Sequence, residues 1–315
     1  MNVERVPIVD LAQIYAERTR TEVDEACRNW GFFQVLGHGI DASLIDAVHR
    51  QMRAFFAQPR EAKRALARSE RNPWGYYDQE LTKNTRDWKE IFDFAAASCG
   101  RSVPRWPADL PGFKDTLIDY YRGCEIVAMR LLRIVSANLG MAAHALDGHF
   151  SHGHSSWARL NHYPVCSSPE NPDGVATPTR GHLGVNHHTD PGVLTVLLQD
   201  RQPGLEVFRR GRWWPVEPID GALVINLGDI VQVWSNDRYQ APLHRVLANA
   251  AAERFSAPFF FCPPYELDYA PLAPTIDAQR PAHYRSINWG HFYAMRSLGD
   301  YADYGEEIQI TQFRV

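Results

Sequence analysis

The stretch Val193-Leu194-Thr195-Val196-Leu197-Leu198 is a short apolar run of the length that a buried strand needs. Leu205-Glu206-Val207-Phe208 and Ala222-Leu223-Val224-Ile225-Asn226 are similar runs, separated from it and from each other by Gly, Pro and Asp. Arg209-Arg210-Gly211-Arg212 predicts the tip of a hairpin. Short strands at regular spacing are typical of an antiparallel sandwich or jelly roll. We therefore expect a β core after Trp157.

The residues that precede this core predict helices and a few strands. Gly31-Phe32-Phe33-Gln34-Val35-Leu36 favours a short strand, and Asp41 or Ser43 can cap a helix that follows it. Another helix is predicted to open at Thr21-Glu22-Val23-Asp24. From Phe113 to Leu139, apolar residues recur at steps of about three and four residues, as one buried helical face requires. This segment predicts the longest helix of the chain.

We expect these parts to form one compact structural unit of mixed α and β structure. A mostly helical N-terminal region, with some strands joining the core, is expected over residues 1–150. The jelly-roll core is expected over residues 151–265. A C-terminal helical tail or lid, which contains Trp289-Gly290-His291-Phe292-Tyr293, is expected over residues 266–315.

Composition and charge exclude several classes of protein. The chain has 315 residues, of which 45% are hydrophobic and 22% charged, so it can bury a full core. Its formal net charge of −4 and its scattered Lys and Arg residues argue against a nucleic-acid partner. No run approaches the roughly 18 apolar residues of a membrane span. We expect a cytoplasmic protein with no membrane partner and no obligatory protein partner.

The five cysteines favour the same compartment. They are odd in number, widely separated and without a C-x-x-C pair, which is typical of reduced thiols. We expect small buried side chains, none of them a metal ligand, at the following positions: Cys27, Cys99, Cys124, Cys166 and Cys262.

A candidate metal site lies in His187-His188-Thr189-Asp190. His188 and Asp190 are two residues apart, so on a strand they point to the same face, whereas His187 points away as an outer or packing residue. His244 is the best third ligand. Two histidines and one carboxylate on one face leave positions open for dioxygen and a chelating ligand on Fe(II), while a structural zinc site would favour sulfur and a closed shell. Ordinary jelly-roll histidines are the alternative.

Arg254-Phe255-Ser256 suggests an anion site near this cluster. Arg254 and Ser256 share a strand face, and guanidinium and hydroxyl together can hold a carboxylate end-on. A surface arginine beside a turn serine is the alternative. The run Phe259-Phe260-Phe261 favours a core strand instead, where a buried arginine needs an anion.

Over nearly its whole length the chain resembles the isopenicillin-N-synthase-like branch of the Fe(II)/2-oxoglutarate-dependent dioxygenases. The motifs that carry this resemblance are Val6-Pro7-Ile8-Val9-Asp10-Leu11, Trp30-Gly31-Phe32-Phe33-Gln34-Val35-Leu36-Gly37-His38-Gly39-Ile40, Arg159-Leu160-Asn161-His162-Tyr163-Pro164, His188-Thr189-Asp190-Pro191-Gly192-Val193-Leu194-Thr195, Asn226-Leu227-Gly228-Asp229, Trp234-Ser235-Asn236-Asp237, His244-Arg245-Val246 and Arg254-Phe255-Ser256.

The resemblance implies a distorted double-stranded β-helix with Fe(II) bound by His188, Asp190 and His244. It further implies that Arg254 and Ser256 hold the distal carboxylate of 2-oxoglutarate. Tyr163 matches a tyrosine that helps to bind this cosubstrate, and Asn161 matches a neighbouring asparagine close to the active site. O2 is the other cosubstrate, and ascorbate is a candidate reductant.

The implied reaction oxidises a small organic molecule and releases succinate and CO2. Hydroxylation is the expected outcome, with desaturation or ring closure as other branches. Two rival functions stay open at this point. One is an Fe(II) oxidase that needs no 2-oxoglutarate, in which Arg254 and Ser256 bind the carboxylate of the substrate itself. The other is a non-catalytic jelly-roll module that binds a ligand or a protein.

Aromatic residues suggest where the substrate binds. By resemblance, the region from Trp74 to Phe94 approaches the iron from the N-terminal layer, although core packing is the ordinary role of such rings. We expect an aromatic-lined pocket for a largely apolar metabolite. Its predicted walls are Tyr76, Phe92, Phe94 and, on the tail, Phe292 with Tyr293 as a weaker candidate.

Overall fold

The computed structural model describes residues 5–13, 16–69, 71–96, 103–151, 153–300, 302, 305 and 307–315. Within these ranges the chain forms six α-helices and three short 3-10 helices. The α-helices are α1 (Glu17–Asn29), α2 (Ala42–Phe56), α3 (Arg60–Arg64), α4 (Phe113–Asn138), α5 (Asp229–Trp234) and α6 (Trp289–Leu298). The 3-10 helices are Asp147–His149, Ala273–Thr275 and Ile310–Phe313.

Most strands lie in the C-terminal half, as the short apolar runs predict. In chain order they are β1 (Ile8–Asp10), β2 (Phe32–Leu36), β3 (Gly75–Tyr77), β4 (Leu81–Thr82), β5 (Thr85–Arg86), β6 (Glu90–Phe94), β7 (Trp157–Tyr163), β8 (Leu183–His188), β9 (Leu194–Gln199), β10 (Leu205–Arg209), β11 (Arg212–Pro215), β12 (Leu223–Leu227), β13 (His244–Leu247), β14 (Arg254–Phe261), β15 (Asp268–Tyr269) and β16 (Ile287–Asn288).

Two sheets form the β core. The larger has eight strands in the order β1-β2-β12-β9-β14-β7-β6-β3, and the smaller has four in the order β11-β10-β13-β8. All neighbouring pairs are antiparallel except β1 and β2. Four strands from the first hundred residues therefore extend the larger sheet. The hairpin predicted at residues 209–212 joins β10 to β11, with Arg210 and Gly211 at positive φ.

The N-terminal helices follow the sequence signals with one difference. Asp41 caps α2 by accepting a hydrogen bond from the backbone N–H of Ser43 at 2.7 Å, which decides between the two predicted caps. Helix α1 begins at Glu17, four residues before the predicted opening at Thr21. The Thr21 hydroxyl donates a hydrogen bond to the carbonyl of Glu17 at 3.0 Å, inside the helix. Thr21 therefore does not cap α1.

Helix α4 confirms the longest predicted helix and supports the larger sheet. Its apolar face is buried, and two tyrosine hydroxyls on that face bond to the backbone of the β core. Tyr120 donates to the carbonyl of Ala257 at 2.5 Å, and Tyr121 donates to the carbonyl of Ser156 at 2.9 Å. The polar ends of both rings are thus satisfied inside the core.

The four predicted pocket residues are packed in this core. Phe92 and Phe94 are fully buried, and the ring of Phe92 packs 4.9 Å from Phe55 and 5.6 Å from Phe113. Side chains alternate along β6, so Phe92 and Phe94 face the helices, whereas Asp93 faces the other side and bonds to Arg159. Neither ring lines a cavity that His188 and Asp190 also line, so the structure gives no support to Phe92 and Phe94 as pocket walls.

Tyr76 and Phe292, the other two predicted pocket walls, are also packed in the core. Tyr76 is 2% exposed, and its hydroxyl donates to Glu90 at 2.5 Å on the helix side of the sheet. Phe292 is fully buried against Phe313, with ring centroids 5.7 Å apart. The weaker candidate Tyr293, its neighbour on α6, is the residue that reaches a cavity.

A core position for Phe92 predicts a loss of stability when its ring is removed. Phe92→Ala is expected to lower the free energy of unfolding by about 3–5 kcal/mol, since it leaves a void among rings that cannot collapse fully. Denaturant unfolding followed by circular dichroism measures this. Phe260→Ala makes the same change at a half-buried residue and should cost less. An unfolding free energy for Phe92→Ala equal to that of the wild type would contradict the placement.

The four described cysteines agree with the sequence prediction. Cys27, Cys124, Cys166 and Cys262 are free and buried, whereas Cys99 lies outside the described residues. Among the helices that the structure describes, none combines the length and the apolar character that crossing a bilayer demands.

Candidate metal centre and neighbouring cavities

Antiparallel pairing of β8 with β13 brings two histidines together. His188 is the last residue of β8 and pairs directly with His244, the first residue of β13, so the two rings lie 4.3 Å apart. The sequence prediction placed Asp190 on the same strand as His188. The strand instead ends at His188, and Asp190 is held in the following turn by a bond from the Asp229 N–H to its carbonyl at 2.8 Å.

These three side chains converge on one point. Oδ1 of Asp190 lies 3.5 Å from Nε2 of His188 and 3.7 Å from Nε2 of His244. The ligand atoms of the three residues all lie within 4.8 Å of one another. Metal ions bind such atoms at about 2.0–2.2 Å, so ligands of one ion lie about 3–4 Å apart. The spacing fits a single ion, and His187, although buried, lies outside this cluster.

Hydrogen bonds fix which imidazole nitrogen can face the ion. Nδ1 of His188 donates to the carbonyl of Asn186 at 2.8 Å, and Nδ1 of His244 donates to the carbonyl of Pro242 at 3.1 Å. Both Nε2 lone pairs are left for a metal. Burial and the neighbouring His188 lower the pKa of His244 to about 4, so its ring is neutral at pH 7.

Two hydrogen bonds to Oδ2 orient the Asp190 carboxylate. Asn226 Nδ2 donates to Oδ2 at 2.8 Å, and the Thr195 hydroxyl donates to the same oxygen. Oδ1 is thereby left toward the histidines. Burial alone would raise the pKa of Asp190, but His244, His188 and the bond from Asn226 hold it well below its usual range. Asn226 and Thr195 were quoted in sequence motifs without a role, and only the sheet register reveals their contact with Asp190.

A cavity of about 80 Å³ lies between the two sheets beside this cluster. Its lining joins His188 and His244 from the smaller sheet to side chains of β7 and β14 from the larger one. All four predicted cosubstrate residues line it: Asn161, Tyr163, Arg254 and Ser256.

Arg254 is the most informative of these residues. Its side chain is 2% exposed, and Nη2 donates to Gln199 Oε1 at 3.1 Å. Nε and Nη1 are buried and have no hydrogen-bond partner among the described residues. A buried guanidinium with unpaired donors is costly unless an anion meets it. The donors fit a carboxylate.

The neighbours of Arg254 complete an anion site. Arg254 and Tyr163 are paired across β14 and β7, with the guanidinium 5.1 Å from the ring centroid. Asn161 Nδ2 donates to Ser256 Oγ at 3.3 Å, which holds the hydroxyl in place. Gln199 was missed by sequence reasoning, because its contact with Arg254 depends on the pairing of β9 with β14.

Two known protein-family models match the chain, one in each half. Residues 154–263 match the model of the 2OG-Fe(II) oxygenase superfamily, and residues 6–109 match the N-terminal region of non-haem dioxygenases in morphine synthesis. Flavanone 3-dioxygenase 2 of Oryza sativa subsp. japonica is 34% identical over 295 residues, covering 92% of this chain and 82% of that protein. The chain belongs to the 2OG-Fe(II) oxygenase superfamily.

Other relatives of this oxygenase agree in length and fold. Jasmonate-induced oxygenase 1 of Arabidopsis thaliana is 33% identical over 91% of this chain and 71% of its own. The crystal structure of JOX2 in complex with 2OG, Fe and JA has a TM-score of 0.82 at 29% identity, covering 95% of this chain and 87% of that one. The crystal structure of the dioxygenase for auxin oxidation in rice has a TM-score of 0.76 at 27% identity, covering 99% of this chain and 100% of that one.

These comparisons confirm the predicted fold and class. The chain is an oxidoreductase with the double-stranded β-helix fold, and it uses Fe(II), 2-oxoglutarate and O2.

A second cavity of the oxygenase, of about 110 Å³, is also lined by His188 and Asp190. Rings of Trp157, Phe260 and Tyr293 line it, so an aromatic wall exists but is built from residues other than the predicted four. Charged side chains also line it, which sequence reasoning missed: Glu80, Lys89, Arg159, Arg296, Asp300 and Glu307.

Lys89 and Arg159 line both cavities and stand where these meet. Arg159 donates two bonds of 2.7 Å to the Glu80 carboxylate and two more, of 2.7 and 2.9 Å, to Asp93. The Lys89 ammonium lies 2.7 Å from Glu80 and 2.9 Å from Asp87. The two-residue period of β7 could have revealed Trp157 and Arg159, because both share a face with Asn161 and Tyr163.

Proposed function

We propose that His188, Asp190 and His244 hold the Fe(II) of this oxygenase, and that Arg254 and Ser256 receive the distal carboxylate of 2-oxoglutarate. Tyr163 and Asn161 flank the same cosubstrate. The substrate, a small organic metabolite with a large apolar part, binds in the cavity of Trp157, Phe260 and Tyr293 and is hydroxylated there. The observation that carries this proposal is the buried Arg254 guanidinium with two unpaired nitrogens in a cavity that also contains the metal-ligand cluster.

The donor set supports an open iron site. Two imidazoles and one carboxylate would hold the ion from one side and leave positions open for other ligands, and this set is typical of non-haem Fe(II) oxygenases. When bound, Fe(II) activates O2 and couples decarboxylation of 2-oxoglutarate to succinate with oxidation of the substrate. The chain contributes orientation: Asn226 and Thr195 fix the carboxylate, and the carbonyls of Asn186 and Pro242 fix the two rings.

Two adjoining cavities favour a cosubstrate over the rival without 2-oxoglutarate. In an oxidase of that kind, Arg254 would hold the substrate itself and one cavity would be enough. Here Arg254 lies in one cavity, and the aromatic wall of Trp157 and Tyr293 lines the other. His188 and Asp190 line both, so both ligands would reach the same ion. The non-catalytic alternative has no support from the cluster, because all three ligand positions are intact.

The four free buried thiols support the further proposal that this enzyme works in the cytoplasm, where thiols stay reduced.

Anaerobic titration of the Fe(II)-loaded protein with 2-oxoglutarate tests the proposed site. A weak visible charge-transfer band should grow and saturate as the 2-oxo acid chelates the metal. Succinate has the distal carboxylate without the keto group and should give no band. Binding of 2-oxoglutarate without any band in fully metallated protein would contradict chelation at the triad and would favour the oxidase in which Arg254 holds a substrate carboxylate.

A further inference from the structure

One acid on the wall of the cavity of Trp157, Phe260 and Tyr293 lies beside an ion-pair cluster without belonging to it. Three cations and three carboxylates contact one another at 2.7–3.5 Å in that cluster: Arg68, Lys89, Arg159, Glu80, Asp87 and Asp93. Asp300 lies on the same wall, but its carboxyl forms no hydrogen bond or ion pair with any residue that the structure describes. Arg159, Arg68 and Lys89 act on this carboxyl electrostatically, but among the described residues each of them pairs with other carboxylates.

The chain holds Asp300 in this position. Asp300 follows α6, and its carbonyl accepts a bond from the N–H of Leu81 at 3.1 Å, which places it beside Glu80. Burial and the neighbouring Glu80 carboxylate raise the pKa of Asp300 to about 8. An acid in this environment ionises readily only when a cation approaches it.

Aromatic rings stand around the same space. Trp157 and Phe260 pack with centroids 4.4 Å apart, and Tyr293 is held by Trp289 at 5.2 Å. The Trp157 indole N–H is buried without a partner among the described residues. The Arg159 guanidinium already lies 5.1 Å from the ring centroid of Trp157, so this ring is placed to contact a cation. Proteins combine aromatic rings with a carboxylate to bind an ammonium group.

The cations of the cavity are less suited to bind a ligand. Lys89 and Arg159 are already in contact with two carboxylates each, and Arg296 lies 2.6 Å from Glu307. An anionic ligand would have to displace one of these buried carboxylates, which would then lose its partner. A cationic ligand would displace none.

We propose that the substrate of this oxygenase carries a protonated amine or guanidinium group that pairs with Asp300, while its apolar part contacts Trp157, Phe260 and Tyr293. This inference rests on the proposed function, because it takes this cavity as the substrate site. The cationic group anchors one end of the substrate, and the oxidised carbon lies toward His188 and Asp190, which line the same cavity.

Three probes of nearly equal size separate charge from shape: benzylamine, benzyl alcohol and benzoate. Isothermal titration calorimetry would measure their binding to anaerobic protein loaded with Fe(II) and 2-oxoglutarate. Benzylamine is expected to bind with a Kd at least about tenfold lower than either other probe, since one buried ion pair contributes about 1.4 kcal/mol or more. Asp300→Asn should remove this preference and leave the Kd for benzyl alcohol unchanged.

Asp220→Asn is the matched control, because Asp220 is an exposed carboxylate that pairs with Arg201 at 2.8 Å outside both cavities. It should bind all three probes like the wild type. Equal Kd values for the three probes, a preference for benzoate, no measurable binding of benzylamine, or an amine preference that survives Asp300→Asn would each overturn the inference. The 2-oxoglutarate charge-transfer band is read in the same samples, so its presence without amine binding would refute this inference and leave the proposed function intact.

Discussion

His188→Ala is expected to weaken Fe(II) binding by more than about a hundredfold, beyond the 10–100-fold effect of losing an outer hydrogen-bond partner. Oxygen uptake dependent on 2-oxoglutarate should fall below detection. The variant should still fold, because His188 stands at the end of β8 beside a cavity and the core is built by other residues. Iron content after dialysis, oxygen consumption and thermal unfolding measure the three parts of this prediction.

His187→Ala is the matched control, since it makes the same change one residue away at a side chain outside the ligand cluster. It is expected to retain iron and oxygen uptake. Iron retention by His188→Ala at the level of the control would remove His188 from the proposed triad. Loss of iron in both variants would indicate that either substitution disturbs the backbone at the end of β8. Iron loss could then not be assigned to the His188 side chain as a ligand.

His188 and Asp190 of the proposed triad could be predicted from sequence because they depend on local spacing. A two-residue step from His188 to Asp190 brings both side chains to one place, even though the strand ends at the first of them. His244 required a long-range pairing, which the fold supplies by setting it opposite His188. The helix of residues 113–138 was equally accessible, since its apolar period is local.

The substrate cavity could not be predicted in the same way. Phe92 and Phe94 are residue types that often line pockets. Their alternate positions on β6 place both on the face toward the helices. Which face of a strand is buried can be known only once the core side of the sheet is known. Asp300 reaches Glu80 through a backbone bond between segments more than 200 residues apart in sequence. No local pattern encodes such a contact.

The division at residues 150 and 265 stays a prediction. Strands β1, β2, β3 and β6 from the first segment are hydrogen-bonded into the same eight-stranded sheet as β14. The boundary near residue 150 marks the point where the sequence pattern changes from mostly helical to mostly β. The hydrogen bonds of the sheet cross that boundary.

Arg254→Leu is expected to raise the KM for 2-oxoglutarate by roughly 30-fold to 4,000-fold, because removing one partner of a buried charge pair costs about 2–5 kcal/mol. The maximal rate at saturating cosubstrate should change less, since Arg254 would contact the end of 2-oxoglutarate remote from the chelating atoms. Arg254→Lys keeps the charge but loses the planar fork and should be intermediate. Oxygen uptake at varied 2-oxoglutarate concentration gives both parameters.

A second cosubstrate makes this prediction specific to the carboxylate. 2-Oxopentanoate has a methyl group where 2-oxoglutarate has its distal carboxylate, so the wild type should use it poorly. Arg254→Leu should lower use of 2-oxoglutarate to that level and leave use of 2-oxopentanoate unchanged or improved, because leucine no longer leaves unpaired donors beside the methyl group. If the substitution weakened both 2-oxo acids equally, Arg254 would support the cavity as a whole, and the distal carboxylate would have to be bound by another group.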